Sequence, residues 1–261
     1  MKIQDVVVAL ERFAPLPLQE GFDNAGLQVG LTETEVSGAL LCLDVTEAVI
    51  DEAVSLGCNL IVSHHPLLFH PLKQISDKND VQRMVRKAIL NDITILSMHT
   101  NIDNAVGGVN FKIAEKLGLR QCQLFCEKQI GDIQGGSGVV GVFAEPVSAK
   151  AFIERLKTVF GVQCVMGNEL LQRPVRKVAI CGGAGSFLLP EAIAMGADVF
   201  ITGEMHYHEY FAHEQEIQIA VIGHYQSEQF TAELFAEILR ESCPALKTYI
   251  TSINTNPIHY Y

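Results

Sequence analysis

The sequence predicts a mixed α/β fold built largely on parallel strands. Up to about residue 118, short apolar runs of strand length alternate with longer segments in which apolar residues recur at helical spacing. The strand-like runs at 39–43, 60–62 and 93–98 end on polar residues, and two of the helical segments stop at a glycine, Gly57 and Gly118. Such alternation is typical of βαβ units, which place consecutive strands in parallel within one sheet.

The first part of the chain contains the clearest elements. In order, they are a helix from residue 2 to Pro15, strands at 26–29 and 39–43, a helix at 46–56, a strand at 60–62, a helix at 81–90, a strand at 93–98 and a helix from 107 to 116. Thr46 is a residue type that caps helix N termini, and Pro15 with Pro17 ends the first helix. These signals make the element order well defined.

The pattern changes after Leu119, where residues 120–138 are predicted to be irregular and rich in glycine. The later predicted elements are a strand at 139–144, a helix at 148–160, strands at 162–166 and 177–180, a helix through 194, a strand at 198–201, a histidine-rich helix at 205–214, a strand at 219–222, a helix at 226–242 and a strand at 248–253. We therefore predict two α/β lobes. The first comprises residues 1–120 and 225–261, and the second comprises residues 121–224.

Composition and charge exclude several classes of function. A formal net charge of -11 argues against a general binder of nucleic-acid phosphates, which needs a basic face. No apolar run reaches membrane-spanning length, and Lys2, Gln4 and Asp5 interrupt any signal-peptide pattern. Seven scattered cysteines without paired spacing indicate reduced, mostly buried thiols. We expect a cytoplasmic protein without membrane or nucleic-acid partners.

The apolar run at residues 60–62 leads to two adjacent histidines, His64 and His65. In open α/β sheets, ligands collect outside the carboxyl ends of the strands. Successive side chains of an extended strand point to opposite sides, so the two histidines fit two metal ions better than one. The alternative interpretation is that they are packed core histidines.

Two further strand ends carry residues that can bind metals. Asp103 follows one strand and His224 another, and Glu228 lies four residues beyond His224. If the helix begins at about His224, this spacing places both side chains on one face. Together with His64 and His65 they provide five ligands, four of them in the predicted first lobe, with Glu228 as the bridging carboxylate. Such a set predicts a hydrolytic site in which two metals about 3.5–4 Å apart activate water. Alternatively, Asp103 caps a turn and Glu228 lies on a solvated helix face.

Two other features are compatible with chemistry. The stretch CGGAGS at 181–186, between a strand and a helix, resembles a phosphate-binding turn. It lacks both the GxGxxG pattern and a P-loop lysine, which favours a tight strand-to-helix turn instead. His206 and His208 would diverge by about 200° on a helix and would not share one metal. We predict His206 as an acid or base that faces the substrate.

Several motifs are distributed over nearly the whole chain. They are FDNAGLQVG at 22–30, SHHPLLF at 63–69, HTNIDNAVGGVN at 99–110, GGAGS at 182–186, TGEMHYHE at 202–209, GHYQSE at 223–228 and the terminal NPIHYY. Jointly they are specific, and the chain resembles members of the Nif3-like family, also known as the GTP cyclohydrolase 1 type 2 homologue family.

The resemblance implies a Nif3-like fold of two interlinked α/β lobes and a dinuclear metal centre in each subunit of a toroidal homohexamer. Transferred to the matching positions, the ligands are the same five residues. His65 and Asp103 share one ion, His64 and His224 hold the other, and Glu228 bridges. Ligation by nitrogen and oxygen without thiolate fits zinc, iron, manganese, cobalt or nickel. At 261 residues the chain is expected to lack the domain inserted in some relatives.

The leading hypothesis for function is a dinuclear metal-dependent hydrolase, with Glu228 and His206 in catalytic roles. The family name implies a nucleotide substrate and opening of the GTP imidazole ring by activated water, a reaction suited to two-metal catalysis. The sequence does not identify a purine pocket, a ribose-reading acid or a triphosphate clamp. The alternative is therefore a non-catalytic, metal-binding hexameric ring that acts as a regulator or scaffold.

Overall fold

The fold consists of two compact units, each with its own sheet. The structure, a computed structural model, describes residues 1–259 and 261, so Tyr260 of the terminal NPIHYY motif lies outside the described residues. Unit 1 comprises Met1–Ile102 and Thr231–Tyr261, and unit 2 comprises Asp103–Phe230. None of the described helices is long and apolar enough to cross a membrane.

The elements follow the chain in two halves. From the N terminus they are α1 (Ile3–Phe13), β1 (Gly26–Val29), β2 (Ala39–Cys42), α2 (Glu47–Ser55), β3 (Leu60–Ser63), α3 (Asp80–Leu90), β4 (Thr94–Ser97), α4 (Thr100–Asp103) and α5 (Val109–Leu117). They continue with β5 (Arg120–Ile130), β6 (Ile133–Val147), α6 (Ala149–Phe160), β7 (Met166–Gly167), β8 (Val175–Cys181), α7 (Leu189–Ala194), β9 (Val199–Thr202), β10 (Gln218–Val221), α8 (His224–Glu228), α9 (Thr231–Ser242) and β11 (Thr248–Ile250). Single 3-10 turns lie at Leu16–Leu18, Ser186–Leu188 and Tyr207–Tyr210.

Unit 1 contains the parallel sheet that the sequence predicts. Its strand order is β1-β4-β3-β2-β11, with β1 antiparallel at one edge and the other four strands parallel. Every residue of β2, β3 and β4 is buried, which explains why these strands read as unbroken apolar runs. Thr46 caps α2 by accepting a hydrogen bond from the amide of Val49, as its position in the sequence indicates.

Unit 2 combines parallel and antiparallel pairing. Its strand order is β5-β6-β8-β9-β10-β7, and β8, β9 and β10 are parallel to one another. The hairpin of β5 and β6 joins one side of this parallel core, and the short β7 pairs antiparallel with β10 on the other. As in unit 1, the carboxyl ends of the parallel strands lead into the loops that carry candidate site residues.

The boundaries between the units differ from the predicted lobes. The chain leaves unit 1 after residue 102 rather than 120, and it returns at residue 231 rather than 225. The reason is that α5 packs on α6, β6 and β8, and α8 packs on α5, so both helices belong to unit 2. The return of the chain is as predicted, since β11 pairs with β2. Consequently His224, Glu228 and Asp103 all lie in unit 2, and unit 1 does not carry most of the predicted ligands.

The prediction that residues 120–138 are irregular is wrong. They form β5 and the start of β6, paired antiparallel around a turn at Gly131. The glycines that suggested a loop instead permit close contact: a Cβ at Gly136 would lie 2.2 Å from the carbonyl oxygen of Cys126. Gly138 has φ +71°, and a Cβ there would lie 2.3 Å from the ring of Phe125.

Two predicted helices are also interrupted. Residues 205–214 contain only the 3-10 turn at Tyr207–Tyr210, because Ala212 and Gln215 adopt left-handed backbone angles, φ 65° and 58°, that end a helix. The predicted helix at 226–242 is divided into α8 and α9 by residues 229–230. The break matters because it places His224 and Glu228 at the two ends of one short helix.

The segment after β11 is attached to α2 through Glu52. The carboxylate accepts hydrogen bonds from the amide of Ser252 at 2.9 Å, from the Ser252 hydroxyl at 2.6 Å and from the Thr251 hydroxyl. Burial raises the pKa of Glu52, but these hydrogen bonds outweigh burial and lower the pKa below its ordinary value of 4.5.

We expect the segment after β11 to detach at acid pH. A carboxylate with a depressed pKa in the folded state contributes stability that is fully present above the ordinary value of 4.5 and is lost as the pH falls through the folded-state value. Hydrogen exchange at the Ser252 amide should accelerate in that range, beyond its intrinsic pH dependence. In Glu52→Gln the protection should be lower at pH 7 and should no longer depend on this titration. Equal pH dependence in both proteins would contradict the assignment.

Candidate metal centre

Three histidines cluster at the carboxyl ends of β3 and β4 in unit 1. Ser63 pairs with Ser97 in the parallel ladder, so the residues that follow these strands emerge side by side. The ring centroids of His64 and His65 are 4.9 Å apart, and that of His99 lies 5.2 and 5.4 Å from them. Each histidine offers one ring nitrogen within 4.8 Å of the other two, a spacing at which the three can hold a metal ion.

The Nδ1 atom of each histidine is hydrogen-bonded to an oxygen of the same unit. The pairs are His64 with the Met98 carbonyl at 2.9 Å, His65 with Asp44 Oδ1 at 2.7 Å and His99 with Asp23 Oδ1 at 2.7 Å. Because a carbonyl or carboxylate oxygen only accepts, Nδ1 carries a proton, and Nε2 is the ring nitrogen left to face a metal ion. Metal-binding histidines are held in this way, so the cluster fits a metal ion.

The two carboxylates in this arrangement are ionised at neutral pH. Burial raises the pKa of Asp23, but the hydrogen bonds from His99 and Thr100 outweigh it and lower the pKa to about 2. Burial likewise raises the pKa of Asp44, and the hydrogen bond with His65 is the main interaction that holds it below its usual range. Both groups therefore act as acceptors that orient imidazoles.

His99 is a site residue that the sequence analysis did not select. In the sequence it is one of several polar residues that follow the predicted strand at 93–98. The signal that identifies it is an equal offset, because His65 lies two residues beyond Ser63 and His99 two residues beyond its partner Ser97. Equal offsets from paired residues of parallel strands place side chains at the same edge of the sheet.

Unit 2 contributes a histidine and a glutamate on α8. His224 Nε2 lies 3.2 Å from Glu228 Oε2, as the i,i+4 spacing predicts. His224 Nδ1 is 2.9 Å from Glu204 Oε1, a carboxylate partner of the same kind as in unit 1. Glu228 is only 4% exposed, so the alternative of a solvated helix face is wrong.

The turn at 181–186 supports α8 and is the tight turn that the sequence favours. Gly183 has φ +59°, and a Cβ at this position would lie 2.3 Å from Glu228 Oε1. The Gly183 amide donates to Ser227 Oγ at 2.9 Å, and that hydroxyl donates to the carbonyl of His224 at 2.7 Å. The glycine thus permits close approach to a candidate ligand.

Asp103 is the last residue of α4 and is half-buried in unit 2. Its carbonyl oxygen accepts a hydrogen bond from Asn110 Nδ2 at 3.3 Å, and Asn110 Oδ1 accepts one from the Gly182 amide at 2.9 Å. Asn110 is 2% exposed and joins the Asp103 loop to the turn that contacts α8. This positioning role of Asn110 was not predicted, because residue spacing does not show hydrogen bonds over 72 positions.

His206 lies at the start of the 3-10 turn in unit 2 and is exposed. Its amide donates to Glu209 Oε2 at 2.6 Å, which closes the turn. Within the described part of the chain, His206 does not join a cluster of metal-binding side chains. Its role as an acid or base stays a prediction.

Comparison with known proteins identifies the family. The family model of Duf34/NIF3 (NGG1p interacting factor 3) matches residues 1–257. The chain belongs to the Duf34/NIF3 family. The fold that the sequence motifs imply is therefore confirmed at the level of the family, together with its mixed α/β architecture of two sheets.

Relatives of this Duf34/NIF3 chain include a Clostridium perfringens protein named GTP cyclohydrolase 1 type 2 homolog, 37% identical over 229 residues and covering 87% of each chain. A Lactococcus lactis protein of the same name is 33% identical over 266 aligned positions, with 99% of each chain covered. The crystal structure of the Staphylococcus aureus hypothetical protein SA1388 superposes with a TM-score of 0.92 at 27% identity, covering 100% of this chain and 99% of that one. The names record homology to an enzyme rather than an activity.

Proposed function

We propose that this Duf34/NIF3 protein is a metal-dependent hydrolase with a dinuclear centre. The observation that carries the proposal is the histidine cluster of unit 1, in which His64, His65 and His99 each have Nδ1 engaged and offer ring nitrogens within 4.8 Å of one another. Keeping three oriented imidazoles together is costly for a fold without a ligand, because their polar edges must be desolvated. Imidazole nitrogens in this arrangement suit divalent transition metals.

The proposed ligands are the five residues predicted from the sequence: His64, His65, Asp103, His224 and Glu228. His99 completes the histidine cluster of unit 1 and is not assigned as one of these ligands. Glu228 is the proposed bridge, and its burial beside His224 keeps its carboxylate away from bulk water. Two ions of zinc, iron, manganese, cobalt or nickel would supply Lewis acidity and activated water. The protein's part is to orient the imidazoles through Asp44 and Glu204 and to hold the carboxylates.

For the substrate we propose a purine nucleotide, opened at its imidazole ring by water. The names of the relatives support this substrate class. With a net charge of -11, the protein needs a local cation or a metal-bound phosphate to accept a polyanion. We further propose that His206 is the acid or base and that the protein works as a toroidal homohexamer in the cytoplasm.

Metal analysis of purified variants tests the centre. The wild-type protein should retain about two transition-metal equivalents, as two-metal catalysis requires. His64→Ala, His224→Ala and Glu228→Ala should each retain less than half of that amount. The matched control is His213→Ala, because His213 is bonded to Glu216 at 3.0 Å and belongs to neither candidate group. Unchanged metal content in His224→Ala and Glu228→Ala would contradict the centre.

A nucleotide screen then separates the two functions that the sequence leaves open. The fully metallated wild-type protein should release formate from GTP or open the ring of another purine nucleotide. Glu228→Ala should be inactive. A fully metallated protein that hydrolyses none of the purine nucleotides would instead support the non-catalytic, metal-binding ring.

A further inference from the structure

Two exposed phenylalanines lie beside the histidine cluster of unit 1. Phe22 is 68% exposed and Phe69 is 41% exposed, and their ring centroids are 6.4 Å apart. Phe69 meets the ring of His99 edge to face, with centroids 6.2 Å apart and an interplanar angle of 81°. The two phenylalanines, called the aromatic shelf below, therefore begin one ring away from the candidate metal ligands.

The loops that carry the aromatic shelf are tied to each other. Asn24 Nδ2 donates to the carbonyl of Leu68 at 2.7 Å, and the Leu68 amide donates to Gln28 Oε1 at 3.0 Å. Gln28 Nε2 in turn donates to the carbonyl of Asn24 at 2.7 Å. These bonds hold the backbone two residues after Phe22 and one residue before Phe69. A ligand that binds to such a surface loses little free energy to loop ordering.

The same loop also orients His99. Asp23, next to Phe22, accepts hydrogen bonds from His99 Nδ1 at 2.7 Å and from the Thr100 amide at 3.0 Å. An open cleft of about 450 Å³ runs along this loop. Its lining residues are Leu16, Pro17, Gln19, Glu20, Gly21 and Asp23. One loop thus combines an exposed aromatic ring, a cleft and the carboxylate that holds a cluster histidine.

Exposure alone does not distinguish these residues, because single exposed hydrophobic side chains are common on protein surfaces. Phe187 in unit 2 is 61% exposed, for example. What distinguishes Phe22 and Phe69 is that they are paired, that hydrogen bonds join their loops, and that Phe69 packs against the ring of His99. The two solvent-facing rings are tilted by 59° to each other, so a flat ring can stack on the face of one of them at the edge of the polar cluster.

We propose that the aromatic shelf binds a planar, uncharged heteroaromatic ring and directs its edge toward the histidine cluster. The proposal rests on the hydrolase function and names the part of the substrate that unit 1 recognises. Phenylalanine faces recognise flat rings by stacking, without hydrogen bonds that select one base. The neighbouring acids Glu20 and Asp23 disfavour an anionic group on this side, so phosphates of a nucleotide would point away from it.

Calorimetric titration of the metal-loaded protein with guanosine and with pterin tests the proposal. The guanine base of guanosine and the pterin ring are both uncharged and planar, and ribose serves as the probe without a heteroaromatic ring. We expect guanosine or pterin to bind, and Phe69→Ala to weaken binding by roughly five- to 100-fold, the range for loss of one base stacked on an aromatic side chain. Phe69→Trp should preserve binding. The control variant Phe187→Ala removes a phenylalanine of unit 2 that is 61% exposed, and it should bind guanosine and pterin as the wild type does.

Three outcomes would overturn the aromatic shelf. The first is that the wild-type protein binds neither guanosine nor pterin. The second is equal affinity in the wild type and in the double variant Phe22→Ala/Phe69→Ala. The third is a lower molar mass of the double variant by light scattering, since the shelf would then be a contact between subunits.

Metal content measured on the same samples keeps this test apart from that of the metal centre. The shelf variants should retain the metal content of the wild type. Loss of metal from them would also overturn the proposal, because it would show that the phenylalanines support the structure of the metal centre. If the shelf variants keep both their ring affinity and their metal, the shelf proposal is wrong and the hydrolase proposal stands. If the metal-ligand variants keep their metal, the proposed metal centre is wrong. Ring binding by the chelated wild-type protein would then support the shelf without the metal centre, and the absence of ring binding would overturn it.

Discussion

Gly183→Ala is expected to remove more than half of the bound metal without unfolding the protein. A Cβ at this position would lie 2.3 Å from Glu228 Oε1, and the carboxylate would have to move by about 1 Å to reach ordinary contact. Metal sites require ligand positions within about 0.2 Å, so a displacement of this size is enough to weaken binding. The carboxylate is the end of a flexible side chain, so it can move at small cost in stability.

Gly161→Ala provides the matched control. Gly161 ends α6 with φ +66°, close to the +59° of Gly183, but nothing lies within 4 Å of an added Cβ. Both substitutions therefore carry the same backbone penalty of about 1–2 kcal/mol for a left-handed non-glycine residue. Only Gly183→Ala meets Glu228.

The measurement is metal content per subunit together with urea unfolding of the chelated proteins. We expect the free energies of unfolding of the two alanine variants to differ by about 1 kcal/mol at most. Only Gly183→Ala should lose metal. Equal metal content in both variants would show that the position of Glu228 is unimportant for binding. A much larger destabilisation by Gly183→Ala would mean that the turn, rather than the ligand, absorbs the clash.

The sequence predicts the parallel core of each unit well because burial on both faces produces apolar runs, as in β3 and β9. It fails for β5, where a mostly exposed strand has no alternating pattern, and for the glycines of β6, which look like a loop. The predicted boundary at residue 120 fails for a similar reason. An amphipathic helix such as α5 has the same pattern whichever sheet it covers, so its unit cannot be read from periodicity.

The candidate site also contains some residues that the sequence predicts and others that it does not. His64 and His65 are visible because they directly follow an apolar run, and Glu228 because it is one helical turn from His224. The groups that position them come from distant parts of the chain. Asp23 is 76 residues from His99, and Asn110 is 72 residues from Gly182. Such contacts depend on tertiary packing, which local spacing does not encode.

Asp23→Ala is expected to destabilise the chelated protein by about 3 kcal/mol, because it leaves buried donors without an acceptor. The side chain is fully buried. Its carboxylate accepts bonds from His99 Nδ1 at 2.7 Å, from the Asn24 amide at 2.7 Å and from the amide and hydroxyl of Thr100. The Thr100 amide, whose bond measures 3.0 Å, should lose much of its protection from hydrogen exchange.

The stabilisation of the folded protein by Asp23 should decrease at acid pH. The pKa of Asp23 is lowered from its ordinary value of 3.8 to about 2 in the folded protein. A carboxylate of this kind contributes stability that is fully present above pH 3.8 and is lost as the pH falls toward 2. At about 1.4 kcal/mol per pKa unit, the loss amounts to roughly 2 kcal/mol. Asp23→Ala should not show this part of the acid dependence.

Asp51→Ala is the control for Asp23→Ala, because it removes an acidic side chain that is exposed. Asp51 pairs with Lys87 at 2.6 Å but is 65% exposed, so its removal should cost about 0–1 kcal/mol. Urea unfolding followed by circular dichroism at pH 7 compares the two variants. Equal destabilisation would mean that Asp23 does not anchor the loop at 20–24.

The loop at 20–24 carries Phe22 and holds His99. A loosened loop in Asp23→Ala should therefore also weaken guanosine binding by the metal-loaded protein, which connects the stability of unit 1 to recognition of the ring.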